Sequence, residues 1–166
     1  MARTQHRNWQ ARLDNLPERS ARLVSEHPQW DPQMLLRQTG WSVVDANERC
    51  GNFDAYRDYI QTSKGEWGVA KHAYVEGRPG WFSERTACYL ASARPVIVQD
   101  TGFGEVLPVG EGLMSFSTLS EAAAAIRDVE KDYARHSRAA RAIAEEYFDS
   151  APVLNSLLNR ALDVSV

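Results

Sequence analysis

The sequence predicts an α/β domain built on a mainly parallel sheet, and three observations carry that expectation. Short apolar runs alternate with longer amphipathic segments, as they do in βαβ units. Residues 95–98 (PVIV) are apolar throughout, the pattern of a strand buried on both faces of a parallel sheet. A capping signal, Thr118 with Glu121, opens an alanine-rich helix directly after a second strand-like run.

Composition narrows the class. A chain of 166 residues suits one domain on a prior of roughly 100–200 residues each. With 43% hydrophobic and 25% charged residues, it reads as a folded globular protein rather than a disordered one. The net charge of −3 and a pI of about 5.8 argue against a nucleic-acid partner. No apolar run approaches the ~20 residues a membrane span requires, and the first ten residues, MARTQHRNWQ, carry no secretory signal. A cytoplasmic protein without a transmembrane segment is expected. Cys50 and Cys88 have no metal-ligand spacing and read as free thiols, so no metal site is expected.

Along the chain, residues 1–40 form a polar leader carrying Arg3, Arg7, Arg12, Arg19, Arg22 and Arg37. Its weak helical stripe of Trp9, Leu13, Leu16 and Leu23 is broken by Pro17. A solvated, loosely packed leader is the plain reading; a basic amphipathic arm touching a membrane surface or a partner is the alternative. Residues 41–46 (WSVVDA) look like a buried strand ending at Asp45. Phe53, Tyr56 and Ile60 share one helical face. Residues 66–75 (EWGVAKHAYV) are strand-like, weakened by Gly68.

Ser83 is placed to cap a helix reaching about Ala93, with Glu84 in its first turn and Ala87, Leu90 and Ala91 facing inward. Pro95 stands at the tolerated first position of the next strand. A turn at residues 100–104 (DTGFG) leads to a strand over Leu113 to Phe116. Beyond Thr118, Ala122, Ile126, Val129 and Tyr133 recur at helical spacing, as do Ala140, Ile143 and Tyr147. Asp149 and Pro152 announce a last helix, with Val153, Leu154, Leu157, Leu158, Ala161 and Leu162 as its expected core face.

The order of the pieces PVIVQDTGFGEVLP, GEGLMSF and the helix with Glu121-AAAA-Ile126 resembles the C-terminal, donor-binding domain of GT-B glycosyltransferases of the group 1 kind. The resemblance spans roughly residues 41–162 and rests on order and spacing rather than on any one motif. It implies a Rossmann-like three-layer domain over residues 41–166 that binds a nucleotide-sugar as substrate and needs no cofactor. Two glutamates separated by seven residues are common in retaining members of that family. Glu76 and Glu84 have that spacing, although aligning on Pro95 and Val96 puts Cys88 at the second position.

In an open parallel sheet, ligands gather beyond the carboxyl ends of the strands. The donor-binding candidates are therefore Lys71, Ser83, Glu84, Arg85, Thr101, Gly102, Phe103, Gly104 and Glu105. Lys71 and Arg85 would offset diphosphate charge, where a solvated side chain is the plain alternative. Ser83 opens a helix whose N–H groups suit an anion. The glycines of residues 101–104 permit close backbone approach. Glu105 would accept from sugar or ribose hydroxyls, or merely begin a helix, and Phe103 would stack on a base or pack in its loop. His72 has no partner evident from sequence and reads as a surface histidine. No catalytic residue is identified.

The family implies a second domain carrying the acceptor site, for which these residues leave no room. A separate acceptor-domain subunit, a homodimer sharing one cleft, a truncated enzyme and a binding remnant all stay open. The competing reading is a non-catalytic α/β interaction or nucleotide-binding module. Neither GxGxxG nor GxxxxGK[ST] is present, which weakens other nucleotide-binding classes.

Overall fold

The strand that sequence marks most strongly is the centre of the sheet. In the computed structural model, which describes residues 32–163, β2 (Val96–Gln99) lies between β1 (Glu66–Gly68) and β3 (Leu113–Phe116), parallel to both. Glu66 pairs with Val96 and Gly68 with Val98; on the other side Val96 pairs with Leu113 and Gln99 with Phe116. Val96, Ile97 and Val98 are all buried although successive side chains point to opposite faces, so both faces of β2 are covered.

The chain divides into two units, Met1–Tyr56 and Arg57–Val166. In the first, the described residues form α1 (Pro32–Gln38), the single turn α2 (Ala46–Arg49) and the start of α3 (Phe53–Thr62). The strand expected over residues 41–46 is not formed. Trp41 N–H instead closes the end of α1 by donating to Leu36 O at 2.9 Å, and Asp45 is the N-cap of α2, accepting from Asn47 and Glu48. Both ends of the segment are thus committed to helix caps rather than to a ladder. The expected leader lies outside the described residues up to position 31, as does its arginine and leucine stripe before α1.

The second unit holds the sheet and its helices. After β1 come α4 (His72–Gly77) and α5 (Glu84–Ala91), and after β3 come α6 (Leu119–Lys131), α7 (Tyr133–Tyr147) and α8 (Ser150–Asp163). The strand expected over residues 66–75 stops at Gly68, because Ala70 N–H donates to the Gln99 side chain and Lys71 O accepts from Tyr74 to start α4. In α5 the buried face is Thr86, Tyr89 and Leu90; Ala91, expected inward, is exposed. Ile60 is buried in α3, but Phe53 is 92% exposed. The capping box forms as expected: Thr118 Oγ1 accepts from Glu121 N–H while the Glu121 carboxylate accepts from Thr118 N–H.

Helix α8 forms where the sequence places it, yet Val153, Leu154, Leu157, Leu158, Ala161 and Leu162 are exposed rather than in the core. The reason is that α5, α6 and α7 already cover the sheet. Amphipathicity specifies that a face is apolar, not that a free surface exists to receive it.

One close approach fixes α7 against the strands. Gly112 has φ 73, a left-handed conformation that side chains disfavour. A Cβ there would fall 2.3 Å from Ala140 N and 2.7 Å from Ala139 C. Gly112 N–H donates to Nδ1 of the fully buried His136 at 3.2 Å. Gly112→Ala is therefore expected to cost on the order of 3 kcal/mol, from strain and overpacking together. Denaturant unfolding of the two chains measures it; equal midpoints would contradict this packing.

Candidate functional site

The three parallel strands send their chains out on one side, and two of those exits meet the head of α5. Val69 and Ala70 follow β1, Gln99 ends β2, and Ser83, Arg85 and Thr86 begin α5; with Glu66, Gly68, Val98, Trp81, Phe82 and Phe103 they line one narrow cleft. Its place beyond the strand ends is where open parallel sheets bind ligands. The space inside it that admits a water-sized sphere is about 20 Å³, against the ~10–15 Å³ one water needs. Trp81 and Arg85, on its lining, are both substantially exposed.

Hydrogen bonds hold the lining in place. The Ser83 side chain caps α5 by accepting from Arg85 N–H at 3.3 Å. Thr101 is buried, and its hydroxyl donates to Trp81 O at 2.6 Å, while Gly80 N–H donates to Thr101 O at 2.8 Å. Those two bonds tie the segment before α5 to the loop after β2. Gly102 has φ 94, and a Cβ there would meet Arg78 O at 3.0 Å, so the loop passes this backbone only as glycine. Aromatic rings form the outer wall: Trp81 stacks on Tyr74 at 5.0 Å, and Phe82 sits edge-on to Phe103 at 5.5 Å and stacks on Phe148 at 5.4 Å.

Two ion pairs bracket this edge. Arg85 Nε donates to Glu66 Oε1 at 2.6 Å, and Arg78 Nη1 donates to Asp100 Oδ2 at 2.8 Å. Asp100 also accepts from Gly102 N–H. That backbone bond, followed by the bond from Arg78, holds the Asp100 carboxyl below the usual carboxylate range.

The donor-binding candidates thus separate into groups. Ser83, Arg85 and Phe103 line the cleft. Thr101 and Gly102 are buried and shape its rim. Lys71 is exposed at the head of α4, one residue beyond the lining Ala70. Glu84, Gly104 and Glu105 are exposed and outside the lining. Glu76 is paired with His72 at 3.7 Å on the surface of α4, and like Glu84 it does not reach the cleft. Glu66, Arg78, Asp100 and Trp81 were not singled out from sequence. Glu66 stands at a strand start, and Arg78 meets Asp100 only through the fold.

Among the described residues no cluster of three or more His, Cys, Asp or Glu is placed to hold a metal, and no helix is long and apolar enough to cross a membrane. Cys50 and Cys88 are free. No protein-family model, curated protein or solved structure matches the chain.

The Asp100 contacts carry a pH dependence whose sign follows from the lowered pKa. Its stabilisation is complete above the unfolded-state pKa and is lost as pH falls through the lower folded-state value. Asp100→Asn should be less stable than the parent near neutrality, with the gap closing in acid. Unfolding midpoints across a pH series test this, and a gap independent of pH would exclude the linkage.

Proposed function

We propose that this chain is the donor-binding half of a GT-B-type glycosyltransferase, a Rossmann-like domain that holds a nucleotide-sugar at the cleft beyond β1 and β2. The observation that carries the reading is the convergence at one strand edge of a capped helix start, an arginine and aromatic rings. The N–H groups at the head of α5 suit a diphosphate oxygen. Arg85, with Lys71 one residue beyond the lining Ala70, would offset the charge that develops as the nucleoside diphosphate departs. Trp81 offers a ring face to a base or sugar. Transfer itself also uses an acceptor site, supplied in this reading by a separate subunit, by a domain beyond these residues or by a second copy of the chain.

A non-catalytic interaction module is the second reading, and the exposed apolar face of α8 favours it. Donor binding separates the two. A thermal-shift series with UDP, GDP, ADP, dTDP and their sugar conjugates should raise the midpoint with one nucleotide in a concentration-dependent way. Lys71→Ala, at an exposed position, should weaken that binding about tenfold if the ammonium meets the diphosphate. No shift with any of these compounds, from a cooperatively folding sample, rejects the donor reading in favour of the module.

A further inference from the structure

Glu66 is a buried acid in the cleft. Its side chain is 4% exposed, and only one of its two oxygens is engaged: Oε1 accepts from Arg85, while Oε2 is buried and has no hydrogen-bond partner. A buried carboxylate oxygen without a donor loses its hydration and gains nothing in return. Folded proteins satisfy nearly all such atoms, so an orphan of this kind calls for a cause. Holding Arg85 does not supply one, because Oε1 alone does that.

The surroundings of Glu66 point to a ligand. It belongs to the lining of the cleft, with Ser83 and the half-exposed Arg85. Gly68, two residues on along β1, leaves the space over the pair open. A Cβ at Gly68 would stand 3.5 Å from Glu66 Oε1, 3.7 Å from Arg85 Nη2 and 3.4 Å from Val98 Cγ1, at ordinary contact distances. A carboxylate is an acceptor only, so what completes Oε2 is a donor.

We infer that Glu66 is a ligand-reading residue whose Oε2 accepts a hydrogen bond from a hydroxyl of the bound nucleotide-sugar, while Arg85 beside it faces the anionic part of the same molecule. The inference rests on the donor-binding reading and deepens it. It makes the cleft selective for a polyhydroxylated anion over an anion alone. The hydroxyl belongs either to the ribose or to the transferred sugar; the chemistry at Oε2 is the same for both.

Glu66→Gln is the informative change. It keeps an oxygen to accept from Arg85 Nε, but sets an N–H donor in place of the orphan acceptor. Calorimetric titration of the full chain and of E66Q would use pyrophosphate, the nucleoside diphosphate that gives the largest thermal shift, and its sugar conjugate. E66Q should bind the conjugate about tenfold or more weakly and pyrophosphate no less tightly than the parent. A loss shared by the nucleoside diphosphate assigns the hydroxyl to ribose; a loss confined to the conjugate assigns it to the sugar. Glu66→Asp retains both charges and withdraws the acceptor by one methylene; it should give the same selective loss and decides the matter if E66Q does not fold. Equal affinity of parent and variants for the conjugate, or equal losses for conjugate and pyrophosphate, overturns the inference and leaves the donor reading standing. Failure of the parent chain to bind any of the nucleotides overturns both.

Discussion

The backbone of Gly112 is the point on which the second unit depends. Its carbonyl accepts from Val96 N–H at 2.9 Å, joining β3 to the start of β2, while its own N–H is taken by the buried ring of His136. The missing side chain lets the α7 backbone come into contact with that strand entry. Once α7 is fixed there, Ser137 donates to Ala93 O and Arg141 donates to Ala91 O. Ala91 ends α5, where helices leave acceptors without intrahelical partners, and Ala93 lies just beyond it. The position of α5, and so of the cleft at its head, is therefore set from its far end. A further anchor works alongside: Arg94 donates to Gln61 O and to the Tyr133 hydroxyl, which donates in turn to Lys64 O.

What sequence could show of this fold follows from how local each signal is. The PVIV run, the Thr118–Glu121 box and the Ser83 cap depend on neighbours within a few residues, and all three occur as expected. Segment 41–46 has the composition of a strand, but composition does not reveal that Trp41 and Asp45 are each committed to a helix end. Residues 66–75 mislead for a similar reason, since the Gln99 side chain that takes the Ala70 N–H is twenty-nine residues away. The apolar stripe of α8 is correctly helical and wrongly interior, because whether a face is buried depends on the surfaces other helices have already occupied.

The cleft was legible in outline and not in all the groups that line it. The rule that parallel sheets bind at their strand ends, joined to the Ser83 cap and the glycine loop, leads to one edge of the sheet, and Ser83, Arg85 and Phe103 line a cleft at that edge. The glutamate pair drawn from the family resemblance lies outside it, since Glu76 and Glu84 are both on exposed helix surface. Glu66 gave no sign of itself. An acidic residue at the start of a three-residue strand normally faces solvent, and only the approach of Arg85 from α5 allows it to be buried. The Arg78–Asp100 pair likewise joins the end of α4 to the loop after β2, a meeting that no local pattern encodes.

These two ion pairs share an orientation with an electrostatic consequence. Glu66 is 4% exposed where Arg85 is 51%, and Asp100 is 23% exposed where Arg78 is 53%. In each pair the carboxylate lies inward and the guanidinium outward, so the acids aim the cations toward solvent at the strand ends. The two guanidinium groups thus stand at the edge where the head of α5 and the stacked Trp81 also converge. The half-exposed guanidinium of each pair is partly screened by solvent, while its carboxylate is held in the less exposed position. Their fixed geometry orients two long side chains in advance, and under the donor-binding proposal that would remove part of the entropic cost of meeting an anion.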